Sequence, residues 1–202
     1  MTNTENMAHK AAMQALQAEQ RAKVQEKEEA GRGLLYVHTG DGKGKSTAAF
    51  GTVIRALGWG HRVAIVQYVK GAWKTGEKLF FGRFPDLLEM HTMGDGFTWD
   101  TQDRSKDIAS AEAAWAKSRA LMESGEYDLV MLDELNIVLR NDYLSLDEVL
   151  EGLSARHTRT SVIVTGRNAP DALVALADLV TDMTPVKHPF EAGIKAKKGL
   201  DF

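Results

Sequence analysis

Leu34-Leu35-Tyr36-Val37-His38-Thr39 runs directly into Gly40-Asp41-Gly42-Lys43-Gly44-Lys45-Ser46-Thr47, and Ala48 to Leu57 follows with helical spacing. A short apolar strand, a glycine-rich turn and a helix in that order are the context a phosphate-binding P-loop requires. Glycines let consecutive backbone N–H groups converge on phosphate oxygens at a helix N-terminus, where the helix dipole also favours negative charge. Lys45 adds a point charge, Ser46 supplies a hydroxyl for Mg²⁺, and Lys43 places a second cation inside the loop. The usual G-x-x-x-x-G-K-[ST] spacing would put glycine at position 39, where this chain has Thr39, with Gly40 one step later. The loop is therefore a variant. A glycine-rich turn that merely joins strand to helix would have no use for the adjacent Lys45 and Ser46.

Outward from the loop the same grammar repeats. Short, nearly continuous apolar runs at Leu34–Thr39, Arg62–Val69, Leu88–Thr92, Leu129–Asp133, Ser161–Thr165 and Leu179–Thr184 read as strands buried on both faces. Helical stretches lie between them at Lys45–Leu57, Gly76–Phe84, Ser105–Ser124, Ser145–Ala155 and Pro170–Leu176. The expected fold is α/β, a P-loop NTPase-like (RecA-like) domain with a mostly parallel sheet of about six strands and helices on both faces. Composition changes at Gly31 and after Thr184. This predicts an N-terminal extension over 1–32, a domain over 33–202, and a C-terminal tail from about 185. Met7 to Glu29 has no Gly or Pro and favours helix, but its apolar face is thin. It reads equally as a frayed tail or as a helix that orders over a ligand or a partner subunit.

Composition narrows the chemistry. A net charge of -3 over 202 residues gives no basic field for nucleic acid or a membrane surface. The chain has no Cys, so thiolate metal sites, iron-sulfur clusters and cysteine nucleophiles are out of reach, and electrons must come from outside. Its six histidines show no zinc-type spacing. The polar N-terminus lacks the apolar core of a signal peptide, so a cytoplasmic protein is expected. Asp128-Leu129-Val130-Met131-Leu132-Asp133-Glu134 is an apolar strand ending in two carboxylates, as in a Walker B segment, and either acid could hold Mg²⁺.

Five segments in fixed order carry a resemblance more specific than a lone P-loop. They are the Thr39–Thr47 loop, Gly96-Phe97-Thr98-Trp99-Asp100-Thr101-Gln102, Leu132-Asp133-Glu134-Leu135, Val164-Thr165-Gly166-Arg167, and the tail from Pro185 to Ala196. Together they resemble the bacterial ATP:corrinoid adenosyltransferases of the CobA/CobO type, from about Arg32 to Phe202. The resemblance implies that cobalt, reduced to Co(I), attacks the ribose C5′ of ATP and expels triphosphate. Lys45, Glu134 and Arg167 would be the catalytic groups, and Gly40, Asp41, Gly42, Lys43, Gly44, Lys45, Ser46 and Thr47 would bind the nucleotide. Ser46, Glu134 and Asp133 would hold Mg²⁺, or Mn²⁺ in its place. Phe97 and Trp99 would pack on the lower corrinoid face, displacing the axial ligand so that cobalt is easier to reduce. The nucleotide would lie reversed relative to ordinary P-loop ATPases, with C5′ toward the corrinoid. The implied partners are ATP, the corrinoid, an external electron donor such as a reduced flavoprotein, and a second copy in a homodimer. A P-loop ATPase or phosphotransferase, and a nucleotide-gated corrinoid carrier, fit the P-loop and the Walker B segment equally well.

Overall fold

The computed structural model describes residues 3–69, 75–93 and 103–201. Within them the strands are β1 (Leu35–Thr39), β2 (Val63–Gln67), β3 (Leu88–Thr92), β4 (Leu129–Asp133), β5 (Ser161–Thr165) and β6 (Leu179–Asp182). They form one sheet in the order β3-β2-β4-β5-β1-β6, and every pairing is parallel. All of β2 and β4 is buried, which is why their sequences are continuously apolar rather than alternating. The order leaves β5 between β1 and β4, as expected for a RecA-like P-loop domain. The loop strand and the Walker B strand are therefore not neighbours, and both pair with β5.

The helices are α1 (Asn3–Gln25), α2 (Lys45–Gly58), α3 (Gly76–Phe81), α4 (Arg104–Glu123), α5 (Leu135–Arg140), α6 (Leu146–Ser154) and α7 (Asp171–Leu176). Alternation along each strand divides the core in two. Val66, Val130, Leu132, Val162 and Val164 pack with Trp115 and Met122 of α4, Leu135 and Val138 of α5, Leu153 of α6 and Leu173 of α7. Val63, Ile65, Leu129, Met131 and Ile163 pack with Phe50, Val53 and Leu57 of α2 and Phe81 of α3. Helices thus cover both faces. Side-chain caps fix several helix starts: Asp103 accepts from the Ser105 and Lys106 N–H groups, and Ser145 from that of Glu148. Such caps contribute about 1 kcal/mol each.

Two expectations need correction. The helix read over Gly76–Phe84 ends at Phe81. Helix α5 was not anticipated, because six residues beginning at a strand end are too few to show a 3.6-residue period. By contacts the chain divides into Met1–Gly31 and Arg32–Phe202. Helix α1 belongs to the first unit, and its described side chains are exposed. No described helix is long and apolar enough to cross a membrane.

An acid-sensitive cluster ties edge strand β3 to α4. Glu89 accepts from the Tyr127 hydroxyl, Lys117 Nζ at 3.0 Å and His91 Nε2 at 2.5 Å. The Tyr127 contact above all, helped by Lys117 and His91, holds the Glu89 carboxyl down at about 2, below its ordinary 4.5. Its folded value is depressed, so its stabilising contribution is full above about 4.5 and is lost as pH falls toward 2. Glu89→Gln should accordingly lower Tm at neutral pH, with the gap to wild type closing below pH 4.5. Thermal unfolding across pH 2–7 checks this, and a gap independent of pH would refute it.

Candidate functional site

Five loop residues separate the end of β1 from α2, and the loop takes its shape from two sides. Met183, just beyond β6, donates its N–H to the Thr39 carbonyl at 2.9 Å and accepts from the Gly42 N–H at 2.6 Å. Gly40 sits at φ 93°, where a Cβ would fall on the Asp182 carboxylate and within 2.6 Å of the Met183 nitrogen. Only glycine allows both that backbone conformation and that approach. The glycine displaced by one position is therefore explained by how closely the β6 end crosses the loop.

Lys45 opens α2 and is 7% exposed. Its Nζ donates to the Gly40 carbonyl at 2.7 Å and the Gly42 carbonyl at 2.6 Å, so the ammonium lies folded within the loop. Burial lowers the Lys45 pKa, countered first by Glu134; Arg167 lowers it further, and Asp41 and Asp182 oppose that. The half-exposed Lys43 is paired with Asp201 near the C-terminus. Arg167 is exposed, its Nε 3.9 Å from Asp41 Oδ1.

The two Walker B acids take different places. Asp133 is completely buried and accepts from Ser46 Oγ at 2.7 Å and Thr165 Oγ1 at 2.9 Å on one oxygen. Its other oxygen accepts from Gln67 Nε2 at 2.9 Å. Glu134 turns away in a left-handed conformation, φ 67° and ψ 22°, with its N–H donated to Thr165 Oγ1 at 2.9 Å. Strand parity accounts for this. Gln67, Asp133 and Thr165 continue the Ile65, Met131 and Ile163 positions that face α2, so their side chains meet Ser46 at its N-terminus. The same parity was readable in the sequence and would have assigned Asp133 to Ser46, had the strand order been known.

Gly42, Lys43, Gly44, Lys45, Ser46, Thr47, Glu134 and Arg167 line one cleft of about 740 Å³. The sequence reading missed Val69, Glu77, Ile137, Arg140, Leu200 and Asp201, which complete it. Arg140 in particular comes from unanticipated α5 and brings a further cation to the wall. Gly40 and Asp41 line an adjoining recess of about 440 Å³ with Asn168, Asp182 and Thr184. An apolar hollow of about 230 Å³ beside Tyr36 and Trp59 lies at the opposite ends of the strands, away from these groups. Phe97 and Trp99 lie outside the described residues. Among the described residues no group of three or more His, Asp or Glu side chains could hold a metal alone. Chemically, the cleft joins the N-terminus of a long helix and four cationic side chains with the carboxylates of Glu77, Glu134 and Asp201, an arrangement suited to a polyphosphate with its metal ion.

Comparison with known proteins agrees with the sequence resemblance. A corrinoid adenosyltransferase of Pseudomonas aeruginosa is 55% identical over 171 residues, covering 85% of this chain and 84% of that protein. One from a Sinorhizobium species is 48% identical over 173 residues, covering 85% and 81%. One from Escherichia coli is 44% identical over 171 residues, covering 85% and 86%. A much looser likeness, at 14% identity and a TM-score of 0.38, is to domain III of the Thermotoga maritima replication initiation protein DnaA, covering 93% of this chain and 65% of that one. That last similarity is too low to bear on function. Residues 31–202 match the family described as ATP:corrinoid adenosyltransferase BtuR/CobO/CobP, which spans the entire cleft. On that match and on relatives this similar over most of their length, the chain belongs to the ATP:corrinoid adenosyltransferase family.

Proposed function

We propose that residues 33–202 bind ATP across the Gly40–Thr47 loop and transfer its 5′-adenosyl group to the Co(I) centre of a corrinoid, releasing triphosphate. The observation that carries this reading is the convergence of Lys45, Ser46, Glu134 and Arg167 on one cleft at the α2 N-terminus. In the reaction the cobalt electron pair forms the bond to C5′, while the C5′–O bond breaks and its electrons leave with the triphosphate. Co(I) carries no proton, so no general base is needed, and the work of the protein is positioning and electrostatics. Loop N–H groups, Lys45 and Arg167 would stabilise the charge that grows on the leaving triphosphate.

The donor set of Ser46, Glu134 and Asp133 is entirely oxygen and hard, which fits Mg²⁺ or Mn²⁺ shared with phosphate oxygens. Ser46 and Glu134 would hold the ion, with Asp133 behind them orienting the Ser46 hydroxyl. Bound there, the ion would neutralise charge on the departing triphosphate. An external donor such as a reduced flavoprotein belongs to the proposal, because a chain without Cys has no thiol or cluster to supply electrons. So do a homodimer and a cytoplasmic setting.

The test is an anaerobic incubation of purified protein with Mg-ATP and chemically reduced Co(I) corrinoid, followed by absorbance and by chromatography of the phosphates. Adenosylcorrinoid with intact triphosphate supports the transferase reading. ADP and phosphate with an unchanged corrinoid would make the protein a P-loop ATPase, and tight binding with no product would make it a carrier. For the lower corrinoid face, Phe97→Ala with Trp99→Ala should leave ATP affinity intact and lower turnover from Co(II) by about 10²-fold, while sparing turnover when Co(I) is supplied. Equal loss under both conditions would eliminate the axial-ligand role.

A further inference from the structure

Asn136, the second residue of α5, is completely buried, and its Nδ2 donates to the Gly166 carbonyl at 2.9 Å. Its Oδ1 is buried too and has no hydrogen-bond partner among the described residues. The amide satisfies the buried Gly166 carbonyl but leaves its own oxygen unpaired, so its net contribution to stability is small. What the amide does is hold one carbonyl.

That carbonyl belongs to a tightly enclosed turn. Gly166 has φ 129°, and an added Cβ would come within 2.8 Å of Asn136 Cβ and 3.3 Å of Glu134 Oε2. The Gly166 N–H donates to the His38 carbonyl at 3.2 Å, and the preceding Thr165 accepts from the Glu134 N–H. Glu134 and Asn136 therefore hold Thr165 and Gly166 in succession. Arg167 comes next, with an exposed side chain and a distant ion pair to Asp41 at 3.9 Å. Its approach to the cleft is thus set by the backbone it leaves from.

We propose that Asn136 is a positioning residue for Arg167: by holding the Gly166 carbonyl it fixes the backbone from which the arginine reaches over the phosphate cleft. The segment that presents Glu134 to the cleft from one side aims Arg167 from the other, so the two opposite charges keep a fixed relation. This inference rests on the reading in which Arg167 stabilises the departing triphosphate.

Asn136→Leu, Arg167→Ala and the double variant, assayed with Mg-ATP and chemically supplied Co(I) corrinoid, test it alongside thermal unfolding. Asn136→Leu exchanges one unpaired buried oxygen for another and should change Tm only modestly, while kcat falls roughly tenfold, with a smaller change in KM for ATP, as misplacement of a transition-state contact requires. In the Arg167→Ala background the same change should alter kcat less than about twofold, since residues acting as one unit are not additive. If leucine fails to pack, Asn136→Asp keeps the shape without the amide donor and should show the same dependence on Arg167. An equal kcat loss in both backgrounds, or none in either, would overturn the positioning role. Full activity in Arg167→Ala would instead remove the role of the arginine itself, and the proposal with it.

Discussion

Lys45→Ala should lose about 10²–10³-fold in kcat/KM for adenosyl transfer, the loss of about 3–4 kcal/mol expected when a preorganised charge facing a leaving group is removed. The side chain is 7% exposed and gathered between the Gly40 and Gly42 carbonyls, so it is already in the loop and little reorganisation is required of it. Arginine should not rescue it, because a planar fork does not fit between two carbonyls that a compact ammonium bridges. Initial rates with chemically supplied Co(I), together with nucleotide affinity and Tm, measure the effect. Activity within a factor of a few of wild type would mean that the loop N–H groups bind the triphosphate without this charge.

Asp133→Ala should be the most destabilising single change at the site. It strips the shared acceptor from Ser46, Gln67 and Thr165, of which Gln67 and Thr165 are as buried as the aspartate. Each buried donor left without its acceptor costs about 1–3 kcal/mol, and a loss of a few kcal/mol in a chain of this size lowers Tm by roughly 10 °C. Thermal unfolding reads this directly. Glu134→Ala provides the contrast: its carboxylate opens on the cleft, so stability should fall far less while the Mg²⁺ concentration needed for half-maximal rate rises. An unchanged Mg²⁺ requirement in Glu134→Ala would return the metal role to Asp133. A marginal Tm change in Asp133→Ala would show that the buried hydrogen bonds count for little.

What could be read from the sequence follows from how local each signal is. The strands and the phosphate loop were legible because burial on both faces makes a run continuously apolar, and because the loop needs its glycines and Lys45 consecutively. The roles of Asp133 and Glu134 were not separable. The difference lies in long-range contacts, Ser46 with Asp133 over 87 residues and Thr165 with Asp133 over 32. Helix α5 was invisible for its shortness, and with it went Arg140 and Asn136. The tie between Lys43 and Asp201 spans 158 residues and leaves no trace in local pattern. The displaced glycine breaks the usual loop spacing, and its cause is the crossing of Asp182 and Met183, far away in sequence.

That crossing sets a timetable for the nascent chain. The phosphate loop emerges from the ribosome early, yet the carbonyl that caps its Gly42 N–H and the strand that borders β1 on its outer side belong to residues 179–183. Until those residues have left the exit tunnel, β1 is an unpaired edge and the loop lacks one of its two walls. Nucleotide recognition therefore waits on residues 179–183, and a chain cut short before Met183 would carry the complete motif without the pocket that gives it meaning.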